Sequence, residues 1–299
     1  MGANELASGG ELLELRLRRH LAVLAGEIGE RHVWRPIALR AAADYVRGEF
    51  SSAGYQVVSQ GYQACGVPCE NLEAIVQGTT HASEIIVVGA HYDTVAGSPG
   101  ADDNASGVAG VIEIARALRP LRLTRTVKLV AFVNEEPPFF YFGNMGSKVY
   151  AEAARARGDH IQVMFSLEML GCYSDAPNSQ RYPPLLRWFY PNRGNFIGFV
   201  SNLRSRRALA NVADAFRANC DFPAESLACP AFVPGVAWSD QLSFWRTGYR
   251  AVMVTDTAFY RYTHYHSPSD TPDRIQYGSM ARVVGGLVRT VASLAGVGA

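Results

Sequence analysis

The sequence predicts an α/β fold, with a mixed, largely parallel central sheet that is covered by helices on both faces. Short apolar segments alternate along the chain with longer segments whose apolar residues recur at helical spacing. The apolar segments are continuous, as in IIVVGA and VKLVAFV, which is typical of strands that are buried on both faces of a sheet. Hydrophobic residues make up 48% of the 299 residues, so the chain can bury the large core that such a fold needs.

Two helices are predicted before the first strand. Leucines among charged residues form a helical stripe over 11–26, and the pattern recurs over 37–50. We expect residues 1–34 to form a helical segment packed on the core and residues 35–299 to form the main domain. Because the composition does not change midway, the chain is predicted to fold as one body.

Strands and helices then alternate. Strands are predicted over 55–58, 71–76, 84–90, 127–133, 163–167, 195–200 and 250–254, and helices over 105–118, 146–157, 204–219 and 279–294. The irregular stretch from Ser174 to Gly194 is rich in proline, glycine and aromatic residues, a composition that lids often have. In such sheets ligands bind beyond the carboxyl ends of the strands, so the polar residues at those ends are the candidates for function.

Charge and hydropathy exclude several classes of partner. The chain has 28 Lys and Arg against 27 Asp and Glu, without the clustered basic residues that nucleic acid binding requires. It has no apolar h-region at the N-terminus and no stretch of roughly 18 uncharged apolar residues, so neither a signal peptide nor a membrane span is expected, and the predicted location is cytoplasmic. Five cysteines favour free thiols, although Cys65 and Cys69 are close enough in sequence to pair.

Histidine and carboxylate side chains follow the predicted strands at several places. They are His91 and Asp93 after IIVVGA, Asp102 and Asp103 in GADDNASG, Glu135 and Glu136 after VKLVAFV, Glu168 after VMFSL, and His264 and His266 in THYHSP. Such a convergence predicts a metal site, and because no cysteine belongs to the set, zinc, manganese or cobalt would suit it. More ligand candidates are present than one catalytic zinc needs, so two ions sharing a carboxylate are expected.

Spacing along the chain separates some of the roles. His91 and Asp93 lie on one face of a strand end, where a carboxylate can orient a metal-bound imidazole. The adjacent Glu135 and Glu136 point to different sides, which permits one ligand and one free base. Glu168 lies in an apolar context, where an unpaired carboxylate would be costly.

Five motifs, in this order and spacing, resemble those of the zinc-dependent aminopeptidases of peptidase family M28. They are VVGAHYDT, GADDNASG, NEE, SLEMLG and YHSPSDT, and the resemblance covers Trp34 to Leu294. It implies a zinc exopeptidase-like fold, an M28-type peptidase domain over 35–299, and a peptide substrate with a free N-terminus.

The resemblance also implies the metal ligands. His91 and Glu168 would bind one zinc ion, Glu136 and His266 would bind the other, and Asp103 would bridge both. Many family members have Asp where this chain has Glu168, which is one methylene longer and could move or weaken the first metal.

The catalytic roles are implied in the same way. Glu135 would be the general base that takes a proton from water and returns it to the leaving amine, Asp93 would orient His91, and Tyr265 would donate to the oxyanion. His264 would have no ligand role. Aromatic residues over 139–142 and Trp238 could form the wall of an apolar side-chain pocket.

Other activities of the same fold remain open at this point. They are a glutaminyl cyclase-like acyltransferase, a carboxypeptidase and a non-catalytic member. The cyclases resemble a one-zinc version without the GADDN string, which this chain has, and a decayed site would have lost ligands or the base. We therefore expect a dinuclear zinc aminopeptidase.

Overall fold

The computed structural model describes residues 3–140 and 143–297, and within them the strands form an eight-stranded sheet. In chain order the strands are β1 (Val58–Ala64), β2 (Val67–Val76), β3 (His81–His91), β4 (Arg125–Phe132), β5 (His160–Glu168), β6 (Ile197–Ser201), β7 (Ala224–Ala228) and β8 (Ala251–Thr255). Their order across the sheet is β1-β2-β4-β3-β5-β8-β6-β7.

The central four strands, β4, β3, β5 and β8, are parallel. β2 runs antiparallel to β4, β1 runs antiparallel to β2, and β6 runs antiparallel to β8 and parallel to β7. The sheet is therefore mixed and largely parallel at its centre, as predicted, and the carboxyl ends of the four central strands meet at one edge.

Helices cover both faces of the sheet. They are α1 (Ala3–Leu21), which continues as a π-helical segment (Ala22–Ile28), α2 (Pro36–Ser52), α3 (Gly107–Leu118), α4 (Gly146–Arg157), α5 (Arg206–Asn219), α6 (Gln241–Arg246) and α7 (Tyr277–Ala295). α1, α2, α3, α5 and α7 pack on one face, and α4 and α6 pack on the other. Alternate residues of β3 enter the two cores, Ile86 and Val88 on the first face and Ile85 and Val87 on the second. This explains the continuous apolar pattern of that strand.

The edges of the sheet differ from the prediction. The first strand begins at Val58, where the predicted one ends, and its residues are mostly exposed, so apolar patterning could not locate it. β7 is half-buried along its length, and α6 has six residues, too few to show a helical period.

Three other expectations concern the domain boundary, the cysteines and membrane spans. α1 packs against α7 and α3, but the proposed boundary at residue 34 stays a prediction. The five cysteines are free thiols, Cys65 and Cys69 included. Among the described residues no helix combines the length and apolarity needed to cross a membrane.

Candidate metal centre

Three strand ends supply most of the candidate ligands. His91 is the last residue of β3, Glu168 is the last residue of β5, and Glu135 and Glu136 follow the end of β4. His91 pairs with Phe132 of β4 in register, so the three ends lie side by side. The topology thus gathers these side chains because the strands are parallel neighbours.

Asp103 reaches the centre from the loop between β3 and α3. Gly100 turns this loop with a φ of 62°, and a Cβ there would lie 2.4 Å from the carbonyl oxygen of Asp103, so only glycine fits. The carboxylate of Asp270 accepts hydrogen bonds from the backbone N–H groups of Asp102 at 2.8 Å and Asp103 at 3.1 Å. Asp270 therefore fixes the loop that presents Asp103, a role that its place in the YHSPSDT motif did not reveal.

The five predicted ligands converge as two groups that share Asp103. One oxygen of Asp103 lies 3.4 Å from His91 Nε2, which is also 3.4 Å from a Glu168 oxygen. The other oxygen of Asp103 lies 3.1 Å from His266 Nε2, which is 3.4 Å from a Glu136 oxygen. Within each group the potential ligand atoms lie within 4.8 Å of one another.

The donor atoms in this arrangement fit a pair of divalent cations. The set consists of imidazole nitrogen and carboxylate oxygen, the ligand types that zinc accepts. Among the described residues, the Glu136 oxygen that lies 3.4 Å from His266 Nε2 is buried without a hydrogen-bond partner. Buried carboxylates so close together repel each other unless a positive charge lies between them.

The pKa values show how strongly these groups act on one another. Burial alone would lower the pKa of His91, but Glu168, Asp103 and Asp93 outweigh it and raise that pKa well above its ordinary value. Burial, followed by repulsion from Asp103, raises the pKa of Glu136 to about 7. Burial would raise the pKa of Asp103, but hydrogen bonds from the two histidines lower it.

Glu135 lies beside both groups of ligands and belongs to neither. One of its oxygens is 3.9 Å from His91 Nε2. Burial raises its pKa well above the ordinary value, and the neighbouring carboxylates of Glu136 and Glu168 add to the shift. Asp93 accepts hydrogen bonds from the backbone N–H groups of Glu135 and Glu136, both at 3.1 Å, and lies 3.5 Å from His91 Nδ1. Asp93 is thus placed to fix the histidine and both glutamates at once.

Tyr265 and Trp238 border the cleft in front of the ligands. The Tyr265 ring stacks on His266 with centroids 3.8 Å apart, and burial raises the pKa of its phenol, which therefore stays a donor. His264 turns away and contacts Ser269 Oγ at 2.7 Å. Of the predicted aromatic wall, Phe140 and Trp238 line the cleft, Phe139 is buried, and Tyr141 and Phe142 lie outside the described residues.

Sequence reasoning missed two residues behind Glu168. Ser239 donates a hydrogen bond to a Glu168 oxygen at 2.5 Å. Asp240 is fully buried, and neither of its oxygens has a hydrogen-bond partner among the described residues. Burial raises the pKa of Asp240 to about 7. A Ser-Asp pair directly before a helix was the available signal, but it is common at helix starts and so points to no site.

Arg31 was also missed. Its side chain is fully buried and donates hydrogen bonds to the carbonyl oxygens of Tyr92, Pro99 and Gly100. Burial lowers its pKa to about 10, so the guanidinium stays charged at neutral pH. The predicted N-terminal segment therefore helps to hold the loop that carries Asp103.

Comparison with known proteins identifies the chain's relatives. The sequence model of peptidase family M28 matches residues 71–291. The chain is 41% identical over 259 residues to the uncharacterized protein YfbL of Escherichia coli K12, and the match covers 84% of this chain and 79% of YfbL. It is 36% identical over 89 residues to aminopeptidase YwaD of Bacillus subtilis, of which it spans only 18%, with 29% of this chain covered.

Solved structures share the architecture at low sequence identity. BSAP, a zinc aminopeptidase from Bacillus subtilis, has a TM-score of 0.73 at 15% identity, with 94% of this chain and 95% of that one covered. A glutaminyl cyclase from Fimbriiglobus ruber has a TM-score of 0.64 at 19% identity, covering 93% of this chain and 95% of that one. These likenesses show the fold alone. Because the family match spans most of the sequence and YfbL is similar over most of its length, the chain belongs to peptidase family M28.

Proposed function

We propose that this chain is a zinc-dependent aminopeptidase that uses two metal ions to remove N-terminal residues from peptides. The observation that carries the proposal is the pair of ligand groups that share Asp103. His91 and Glu168 would hold one ion, Glu136 and His266 would hold the other, and each oxygen of Asp103 faces one group. Manganese or cobalt would suit the same ligands.

The metals would supply Lewis acidity, polarising the scissile carbonyl and lowering the pKa of water so that hydroxide is available at neutral pH. Glu135 would take the proton from that water and pass it to the leaving amine. Its position supports this role, because its carboxylate lies beside the ligands without belonging to either group. A positioned acid and base of this kind contributes typically about 10²- to 10⁴-fold to the rate.

Two further residues would assist the reaction. Asp93 would keep the His91 ring and the two glutamates in place through the contacts described above. Tyr265 would donate a hydrogen bond from its hydroxyl to the developing oxyanion, because no hydrogen bond among the described residues engages that hydroxyl and the residue borders the cleft.

The charge of the cleft favours an aminopeptidase over a carboxypeptidase. Its described lining includes the four carboxylates of Asp103, Glu135, Glu136 and Glu168 and no arginine or lysine. Such a cleft attracts the ammonium group of a free N-terminus and repels a C-terminal carboxylate. Both ligand groups are complete, which supports two ions and so disfavours a one-zinc cyclase.

The test measures metal content and cleavage in the wild type and in Glu135→Gln. We expect about two zinc ions per chain and hydrolysis of unblocked peptides but not of their N-acetylated forms. Glu135→Gln should keep its zinc while kcat falls by at least about 10²-fold, because only the base is lost. Glu152→Gln, on the exposed face of α4, is the matched control and should keep both properties.

Each alternative activity has a distinct outcome in this test. Release of ammonia from an N-terminal glutamine peptide without chain cleavage would indicate a cyclase, and cleavage from the C-terminus would indicate a carboxypeptidase. Near-native turnover by Glu135→Gln would remove that residue from the role of base. A zinc-loaded wild type that cleaves none of these peptides would contradict the proposed function.

A further inference from the structure

A large pocket opens beside the metal centre. It encloses about 870 Å³, including space open to solvent, and Glu168, Trp238 and Tyr265 line both this pocket and the cleft of the metal centre. The two spaces therefore adjoin each other. A peptide whose terminal amine lies at the metal centre would place its first side chain in this pocket, whose lining is mainly apolar.

The order of the strands places one carboxylate, that of Glu225, at the side of this pocket that is distant from the metal centre. In register, Glu168 of β5 pairs with Thr255 of β8, Thr255 pairs with Gly198 of β6, and Gly198 pairs with Glu225 of β7. Residues paired across a sheet point to the same face, so Glu225 lies on the face of Glu168, and all four residues line the pocket. Three strand spacings separate the Cα atoms of Glu168 and Glu225 by about 14 Å.

The Glu225 carboxylate has no direct charged partner in the part of the chain that the structure describes. Among the described residues Glu225 makes no hydrogen bond or ion pair, and burial raises its pKa while the charge of Arg217 lowers it. The Arg217 guanidinium contacts the carbonyl oxygen of Ala224 and Ser226 Oγ. Because successive side chains of a strand point to opposite faces of the sheet, the Ser226 side chain and the Arg217 that contacts it lie on the face opposite to Glu225.

Two tyrosines flank the same end of the pocket. The rings of Tyr182 and Tyr190 lie 5.8 Å apart and are tilted by 31°. Burial raises the pKa of both phenols, and the negative charge of Glu225 adds to the shift. Hydrogen bonds to Pro191 and Ser226 fix their hydroxyl groups. Aromatic faces beside a carboxylate are a favourable environment for a guanidinium or ammonium group. Arg181 also borders the pocket, with its side chain exposed.

We propose that Glu225 makes the enzyme select peptides whose N-terminal residue is arginine or lysine. The inference rests on the proposed aminopeptidase function and adds the class of substrate to it. An extended arginine side chain reaches about 7 Å from its Cα, and the Glu225 side chain covers much of the remaining distance from the metal centre. An incoming cation would pair with a carboxylate that otherwise loses hydration in a mainly apolar pocket.

The test compares wild type, Glu225→Gln and the control Glu152→Gln on the p-nitroanilides of arginine, lysine and leucine. The wild type should prefer the two basic substrates. In Glu225→Gln the ratio of kcat/KM for arginine to that for leucine should fall about 10- to 100-fold, as expected for loss of a charge-assisted contact. The effect should lie mainly in KM, because the contact is equal in the ground and transition states. Glu152→Gln should keep the wild-type ratio.

A binding measurement gives a second readout that does not depend on turnover. In zinc-loaded Glu135→Gln, calorimetry with arginine amide and leucine amide should show tighter binding of arginine amide, and adding Glu225→Gln should abolish the difference. If Glu225→Gln hydrolyses the leucine substrate and keeps the wild-type ratio of kcat/KM for arginine to that for leucine, the inference is wrong. The proposed function is then unaffected. If no p-nitroanilide is cleaved, the proposed function fails, and equal binding of the two amides would then overturn the inference separately.

Discussion

Glu168 is the predicted ligand at which the resemblance to peptidase family M28 implies an aspartate in many members. Its longer side chain is held from two sides, by the Ser239 hydroxyl at 2.5 Å and by the Asn104 amide at 3.4 Å. Both donors contact the same oxygen, Oε2, which is also the one near His91. The protein therefore positions the extra methylene with a specific pair of donors, and burial raises the pKa of the carboxyl.

Replacing Glu168 should separate the two proposed metal sites. Glu168→Ala should weaken the binding of one ion only, because Asp103, Glu136 and His266 remain as ligands for the other ion. The affinity of the weakened site should fall by more than the roughly 10- to 100-fold that is typical of residues behind the ligands. Zinc titration with calorimetry checks this, and Glu168→Asp should retain part of both metal binding and activity. Two equivalents bound by Glu168→Ala with unaltered affinity would mean that the first ion uses another ligand.

At the scale of elements, a buried carboxylate ties the N-terminal helix to the rest of the fold. Glu113 of α3 lies under α1, where Arg16 donates to it at 2.6 Å and His20 contacts it at 3.0 Å. His20 also contacts the Tyr45 hydroxyl of α2 at 2.7 Å. Burial would raise the pKa of Glu113, but these hydrogen bonds outweigh it and lower the pKa.

Removing this charge should loosen α1. We expect Glu113→Gln to lower the free energy of unfolding by about 1–3 kcal/mol at neutral pH. Because the pKa of Glu113 is lowered in the folded state, its ionised carboxylate stabilises the folded protein fully at pH values above the ordinary pKa of glutamate. This stabilisation is lost as the pH falls through the lowered pKa. The difference in the free energy of unfolding between wild type and variant should therefore be largest at pH 7 and become smaller in acid. Urea unfolding at several pH values measures it. Glu11→Gln, which is exposed on α1, is the control, and a pH-independent difference would refute the ionic explanation.

At the scale of the whole molecule, the metal centre concentrates buried acid groups that a cation would neutralise. In the metal-free protein Glu136 and Asp240 have pKa values raised to about 7, mainly by burial. The pKa of His266 is raised to about 10, because Asp103 and Glu136 outweigh burial. In all three cases the folded apoprotein binds protons that the unfolded chain has already released, so its stability falls as the pH rises.

Chelation should therefore lower the melting temperature, and by more at pH 8 than at pH 6. Zinc would bind the folded state and replace the protons as the source of positive charge, so the metal-loaded protein should not share this pH dependence. Differential scanning fluorimetry before and after verified metal removal, at both pH values, measures the two effects. An unchanged melting temperature would count against a convergent site, and a difference that shrinks at pH 8 would contradict the proposed charges.

Much of the fold and of the candidate site could be predicted from local patterns. The buried central strands have continuous apolar segments, so IIVVGA and VKLVAFV located β3 and β4 to within a few residues. Parallel neighbours bring their carboxyl ends to one edge, which is why His91, Glu136 and Glu168 could be expected together. Residues that depend on weak or short patterns were missed, as with the half-buried strand β7.

The sequence by itself determined the α/β class, the family and the residues that converge on Asp103, because strand ends and motif spacing are encoded locally. Only the tertiary structure decided which other side chains support these residues and which line the neighbouring pocket. Asp270 and Asp240 reach the centre from segments far along the chain, and Glu225 enters the neighbouring pocket through pairing across four strands. Such contacts join residues distant in sequence, and their meeting depends on the register and order of the whole sheet, which no local pattern records.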